Sequence, residues 1–225
     1  MNRLPQESSR EYVYRMIRSN IMDLKYAPGS TISENEIAGS LNISRTPIRE
    51  AIIRLVNEKL IDVFPQRGTY VSLIDIHHVE ESKFIRETLE RRVMQIACVD
   101  FRQDDLFQLQ KYLMMQELCI QEKRFFQFYE YDSNLHGAIF AGCNKEKTWD
   151  MIQQMSTHYN RVRCLGISHG YELPELLAEH RAMVNAIISR DSVAGKHAVD
   201  RHLNKVRLDL PKMMREFPEY FTKID

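Results

Sequence analysis

Apolar residues recur at three- and four-residue steps through residues 8–24, where Tyr12, Val13, Met16, Ile17, Ile21 and Leu24 mark one face of a helix. Pro28-Gly29 ends it with a turn. Ser33-Glu34-Asn35-Glu36 has capping-box spacing, with Ser33 placed to accept from the third helical N–H and Glu36 to reach back. The short helix that follows buries Ile37, Ala38 and Leu41. Asn42 closes it, and Ser44 is placed to cap a third helix running to about Lys59, with Ile48, Ala51, Ile52, Leu55 and Val56 turned inward. The period then changes. Asp62-Val63-Phe64 and Thr69-Tyr70-Val71-Ser72 read as two short strands joined through Pro65-Gln66-Arg67-Gly68. Three helices and a hairpin predict a winged helix-turn-helix over residues 1–74.

From Asp75 onward the strand signals stop. Amphipathic periodicity predicts helices near 75–100, 104–122, 125–142, 145–166, 173–189 and 191–214. Phe101-Arg102-Gln103-Asp104, Gly142-Cys143-Asn144 and the Gly166–Pro174 segment are the expected breaks. Six such helices with short connections make an all-α antiparallel bundle over residues 75–225. The fold class is therefore mainly α, a winged helix-turn-helix followed by a helical bundle. The linker around Leu73-Ile74-Asp75 is short, so the two domains are expected to be mechanically coupled.

With 225 residues, 44% of them hydrophobic, the chain has enough apolar material for two cores. No stretch approaches the roughly eighteen uninterrupted apolar residues of a membrane span. Residues 1–7 contain no apolar run of the secretory kind, so a cytoplasmic protein with no membrane partner is expected. The formal charge is zero overall, yet residues 1–74 hold ten Lys and Arg against eight Asp and Glu, while the remainder holds twenty-one against twenty-three. That asymmetry permits nucleic-acid binding if the positive groups share one surface. Cys98, Cys119, Cys143 and Cys164 show no C-x-x-C spacing and fall within predicted helices, which points to buried, reduced thiols.

Ser44-Arg45-Thr46-Pro47-Ile48-Arg49-Glu50-Ala51 opens the third helix. At 100° per residue, Ile48, Ile52 and Leu55 cluster together, Thr46, Glu50 and Asn57 lie opposite, and Arg49 and Arg54 flank them. Arg45 and Arg49 stand one turn apart, so both project from the N-terminal end, where an arginine reads guanine O6 and N7 bidentately and free amides favour a phosphate. In the turn of the hairpin, Arg67 is placed to enter a minor groove, and Gly68 lets the backbone approach closely. Arg54 has a second reading, pairing with Glu50 or Glu58 on its own helix.

In the bundle, four polar residues fall where apolar ones are expected. Asp132 and His136 share a stripe with Phe125, Phe128, Tyr129, Ile139 and Phe140; His180 sits among Leu176, Leu177, Met183, Val184 and Ile187; His202 lies with Ala198, Val199 and Val206. A carboxylate facing a core is costly unless paired or metal-bound. One Asp and three His aimed at one interior suit a divalent cation such as Zn²⁺, Ni²⁺ or Mn²⁺. Each histidine taken alone also reads as an ordinary core residue with a polar neighbour. His158 lies near an inner stripe as well, whereas His77, His78, His169 and His197 are weaker candidates.

Two resemblances follow from these residues. Pro28-Gly29, Ser33-Glu34, Ile37-Ala38, the Ser44–Ala51 run, Leu55 and Gly68-Thr69-Tyr70-Val71 together resemble the winged-helix domain of GntR-type bacterial regulators over about residues 10–74. The resemblance implies operator contacts from Arg45, Thr46, Arg49 and Gly68, with Arg54 less firmly; Asn35 stands where some relatives carry a DNA-contacting arginine. Asp132-x-x-x-His136, Glu179-His180 and His202-Leu203, with Ile85-Arg86-Glu87-Thr88-Leu89-Glu90, resemble the FCD class of that family, whose helical effector domain often holds a metal through one Asp and three His. Arg86 and Arg163 are candidates to meet an effector carboxylate, and a salt bridge to a helix neighbour such as Glu90 is the other reading.

The expected function is a ligand-responsive transcriptional regulator, not an enzyme. A homodimeric repressor would sit on palindromic operator DNA until a small carboxylate reaches the buried cation. A regulator that senses the metal itself is the alternative, and a metal-dependent hydrolase a more distant one, since no general base stands beside the four residues.

Overall fold

The computed structural model describes residues 3–170 and 172–223. Among these, ten α-helices and three short strands fall into two compact units. In the first, α1 (Ser9–Met22), α2 (Glu34–Leu41) and α3 (Arg45–Asn57) enclose Val13, Ile17, Ile21, Ile37, Ile48, Ala51, Ile52 and Leu55. Those are the inward positions of the 3.6-residue pattern, so the sequence period sets the core directly. Asn42 ends α2 in the left-handed region (φ 52°), which turns the chain sharply into α3. Ser33 accepts from the Glu36 N–H as expected, and a full reciprocal capping box forms at Ser8 and Glu11. Ser44 holds the extended N-cap backbone of α3, but its hydroxyl makes no cap hydrogen bond.

The wing has one strand more than the sequence pattern revealed. β1 (Thr31–Ile32), β2 (Ile61–Phe64) and β3 (Gly68–Val71) form an antiparallel sheet in the order β1-β3-β2. β1 is too short to display a period. It is paired through Thr31 with Tyr70 and Ile32 with Thr69.

A further segment joins this unit from far along the chain. Ile74 forms a parallel bridge with Phe221, its N–H donating to the Tyr220 carbonyl (2.8 Å) while the Thr222 N–H donates to the Ile74 carbonyl (3.0 Å). Both Ile74 and Phe221 are buried. The unit thus comprises residues up to Ile76 together with the segment from Phe217, and the second unit ends at Glu216 rather than extending through the C-terminal segment. The sequence expectation of a second domain over 75–225 differs at that end. A bridge between residues 147 positions apart leaves no local sequence signal.

The second unit is built from α4 (Ile76–Val99), α5 (Gln103–Gln121), α6 (Phe125–Gly142), α7 (Glu146–Met155), α8 (Thr157–Ser168), α9 (Leu173–Ile188) and α10 (Ser192–Glu216). The expected helix over 145–166 is two helices. Ser156 leaves the helical basin (φ −104°, ψ 28°), and every residue of α8 from Thr157 to Ile167 is buried. No proline or glycine marks the break; the interior partners of α8's polar side chains do. Val93, Met94, Ala97, Cys98, Leu135, Ile139, Met183, Val184, Val199 and Leu203 share one core. All four cysteines are free and buried, and burial pushes the Cys98 and Cys143 thiols up to about 11.

α4 and α10 approach closely at Gly195, where a Cβ would lie 2.9 Å from both Cys98 Sγ and Met94 Cγ. Gly195→Val is expected to destabilise the protein by about 1–3 kcal/mol through overpacking, read as a fall in the chemical denaturation midpoint with unchanged slope.

Candidate functional site

On α3, Arg45, Thr46 and Arg49 are all exposed on the side away from Ile48, Ile52 and Leu55. Arg49 Nε lies 2.9 Å from Glu34 Oε2, so an anionic ligand must compete with that carboxylate for the guanidinium. Arg54 is committed differently: its guanidinium lies 3.6 Å from the centre of the Tyr14 ring and 3.4 Å from Glu58 Oε1. At the turn of the wing Arg67 and Gly68 are exposed. Gly68 has φ +117°, a conformation that disfavours any side chain, and the Tyr70 hydroxyl donates to the Arg67 carbonyl (2.8 Å).

The bundle gathers Asp132 and His136 from α6, His180 from α9 and His202 from α10, all buried, with one donor atom from each lying within 4.8 Å of the others. Asp132 Oδ1 is 3.4 Å from His136 Nε2 and 3.7 Å from His180 Nε2; His136 Nε2 and His202 Nε2 are 3.0 Å apart. Two donors each about 2.1 Å from one ion sit roughly 3–3.5 Å apart, so these spacings suit a shared cation.

The outer nitrogens decide what the inner ones are. His136 Nδ1 lies 2.8 Å from Glu90 Oε2, His180 Nδ1 2.7 Å from Gln116 Oε1, and His202 Nδ1 3.3 Å from Glu179 Oε2. The Gln116 amide is oriented because its Nε2 donates to the Tyr131 carbonyl (3.3 Å). Ionised carboxylate and amide oxygens only accept, so the tautomer that matches all three contacts puts the proton on Nδ1 and leaves Nε2 a lone pair. Two lone pairs 3.0 Å apart repel unless positive charge lies between them. His180 Nε2 and Asp132 Oδ2 also have no hydrogen-bond partner, nor do Glu90 Oε2 and the two terminal nitrogens of Arg86 beside them, which is unusual for buried polar atoms. The donor set therefore fits a divalent ion.

The electrostatics agree. Burial, with neighbouring histidines adding to it, holds His180 well below the ordinary imidazole range and His202 down at about 3. Burial pushes the Asp132 and Glu90 carboxyls up, but positive neighbours win, Arg163 foremost for Asp132 and Arg86 for Glu90, and both are held far below the usual range.

Arg163 donates to Asp132 Oδ1 (2.5 Å) and to Asn160 Oδ1 (3.1 Å), with its guanidinium 5.2 Å from the Tyr129 ring centre. It lines a cavity together with Asp132, Tyr159, His202, Lys205 and Met213. Arg86 does not line it. Arg86 is fully buried and donates to Glu90 Oε1 (2.6 Å), its guanidinium 5.8 Å from the Trp149 ring centre and 5.0 Å from that of Tyr159. Of the two readings of Arg86, the structure shows the salt bridge to Glu90. Lys205, paired with Glu172 and also near Glu175 and Asp209, is a cavity cation that sequence reasoning missed. Its position on the face of α10 one turn from His202 was the available signal. His158 is buried with its ring 4.6 Å from that of His78, apart from the donor set.

Residues 9–71 match the family described as bacterial regulatory proteins, gntR family, and residues 83–205 match the FCD domain. The chain belongs to the GntR family, in its FCD class. The HTH-type transcriptional repressor RspR of Escherichia coli (strain K12) is 30% identical over 219 residues, covering 97% of this chain and 96% of that protein. An uncharacterized HTH-type regulator from an unstable DNA locus of Streptomyces ambofaciens is 29% identical over 218 residues, covering 96% and 90%. Among solved structures, E. coli McbR/YncC superposes with a TM-score of 0.77 at 21% identity, covering 92% of this chain and 99% of that one. A putative GntR regulator from Rhodococcus sp. RHA1 gives 0.77 at 19%, with the same coverage. These last two establish the shared fold.

The protein is accordingly a DNA-binding transcriptional regulator of the GntR/FCD type, and no described helix is long and apolar enough to cross a membrane.

The buried imidazoles set an acid limit. A histidine held neutral in the fold but free to protonate near 6.5 when unfolded stabilises the native state above that pH and loses its contribution as pH falls. Metal-free protein is expected to lose stability progressively from about pH 6.5 down towards about 3, the folded value for His202. His202→Gln flattens that slope by roughly one proton in denaturation curves taken across the window.

Proposed function

We propose that the protein is a homodimeric repressor whose operator grip is released by a small carboxylate bound beside a divalent cation. The cation, Zn²⁺, Ni²⁺ or Mn²⁺, is held by Asp132, His136, His180 and His202. The observation that carries this reading is the convergence of three Nε2 lone pairs and one carboxylate next to a cavity lined by Arg163 and Lys205. Among the buried charges, Asp132 pairs with Arg163 and Glu90 with Arg86, and Arg161 is buried as well. A divalent ion adds two positive charges to that interior, and buried net charge is costly. An anion entering the cavity offsets them, with Arg163 as its protein partner.

Operator contacts come from Arg45, Thr46 and Arg49 on α3 and from Arg67 and Gly68 of the wing. Arg54, stacked on Tyr14 and paired with Glu58, serves mainly the head's own packing. The repressor assignment draws support from RspR, which is named as one. A cytoplasmic, non-enzymatic role follows from regulation of this kind.

The reading in which the metal alone is the signal is separated by one titration. Operator binding by chelator-treated protein is followed against Zn²⁺, first without and then with a panel of small organic acids. Release that requires an acid supports the proposal; release by metal alone favours metal sensing. His180→Ala is expected to abolish stoichiometric metal in elemental analysis and the response to acids, while operator affinity without ligand stays within about threefold.

Arg49→Ala is expected to weaken operator binding by roughly 5- to 150-fold at fixed salt, the span of about 1–3 kcal/mol for a base-reading arginine. Arg54→Ala is expected to change it by less than about threefold. Equal effects from both substitutions, in fluorescence anisotropy with a labelled operator duplex, would contradict this division of roles.

A further inference from the structure

The three imidazoles of the donor set are not gripped alike at Nδ1. His180 is met by a neutral amide and His202 by Glu179, which is 13% exposed at its side chain. His136 is met by Glu90, a carboxylate only 3% exposed, which is itself held by the fully buried Arg86. The chain of contacts runs from Arg86 Nε to Glu90 Oε1 (2.6 Å), then from Glu90 Oε2 to His136 Nδ1 (2.8 Å), leaving His136 Nε2 aimed at the shared centre. Trp149 closes the arrangement from the other side, stacked on the His136 ring with centroids 6.0 Å apart and 5.8 Å from the Arg86 guanidinium.

An ion pair this deeply buried contributes little net stability beyond what apolar side chains of the same size would give. Its position suggests another use. A carboxylate accepting from Nδ1–H fixes ring orientation and raises electron density at Nε2, and removing such a partner costs 10- to 100-fold in metal affinity in typical sites. Neither Glu90 nor Arg86 is among the residues lining the cavity, and Arg86 reaches Glu90 through Nε, its two terminal nitrogens having no hydrogen-bond partner.

We propose that Glu90 is the positioning residue of the metal centre, anchored by Arg86, and that it sets the strength with which His136 binds a divalent cation. The inference rests on the metal-binding reading above. It gives Arg86 a role acting through Glu90, in place of the contact with an organic acid that the sequence suggested.

Glu90→Gln keeps the shape and an acceptor oxygen but removes the charge. Zn²⁺ affinity, measured by competition with a chromophoric chelator on full-length protein, is expected to fall 10- to 100-fold. Operator affinity and helical circular dichroism are expected to stay unchanged. The double variant Arg86→Met with Glu90→Gln is expected to match Glu90→Gln alone in Zn²⁺ affinity, because Arg86 acts through the charge already removed. Wild-type affinity in Glu90→Gln, or a further large drop in the double variant, overturns the inference while leaving the metal site intact. Wild-type protein that binds none of Zn²⁺, Ni²⁺ and Mn²⁺ overturns both readings together.

Should Glu90→Gln fail to fold, wild-type protein loaded with Co²⁺ provides the test by NMR. The hyperfine-shifted His136 Nδ1–H is expected to exchange with solvent more slowly than that of His202. Coordination through Nδ1 of His136, or equally fast exchange of the two protons, overturns the inference.

Discussion

A carboxylate removed from water must find positive charge within the protein, and the bundle is organised around that requirement at Asp132. Its charge is met by Arg163 from α8 and faced by imidazoles from α6, α9 and α10. Turning α6 or α8 by a single residue would part Asp132 from Arg163 and strand the carboxylate, so those two helices are fixed in rotation as well as in position. Apolar packing alone tolerates such slippage far better, because one hydrophobic surface substitutes for another. Polar convergence gives this interior its unique arrangement.

The same requirement explains the one helix that departs from the amphipathic pattern. Breaking at Ser156 buries α8 on every side and carries Asn160, Arg161 and Arg163 inward with it. The energetic cost of burying those groups is offset by specific partners, Asp132 and Asn160 in the case of Arg163. Folding and site assembly are thus one event in this region.

Much of this was legible in the sequence. The head's helices and hairpin followed from apolar periodicity and turn residues, and the four inward polar positions stood out because each interrupted an apolar stripe. What stayed hidden depends on contacts between distant segments. β1 is two residues long and exists only because β3 passes beside it. Glu90, Gln116 and Glu179 are unremarkable polar residues on their own helices, and only their placement behind His136, His180 and His202 gives them meaning. Arg86 illustrates the limit well: its neighbour Glu90 was visible at one-turn spacing, yet the sequence carried no sign that the pair pointed away from the cavity.

The bridge between Ile74 and Phe221 makes the operator-binding head a discontinuous unit, closed by a residue synthesised 150 positions after Val71 ends its third strand. On the ribosome, therefore, the head cannot reach its final form until the whole bundle has emerged. A nascent chain arrested within α10 would carry a recognition helix but an unsealed Ile74. A head grafted onto another effector module without the terminal segment would leave the Ile74 backbone without the partners that Tyr220 and Thr222 supply.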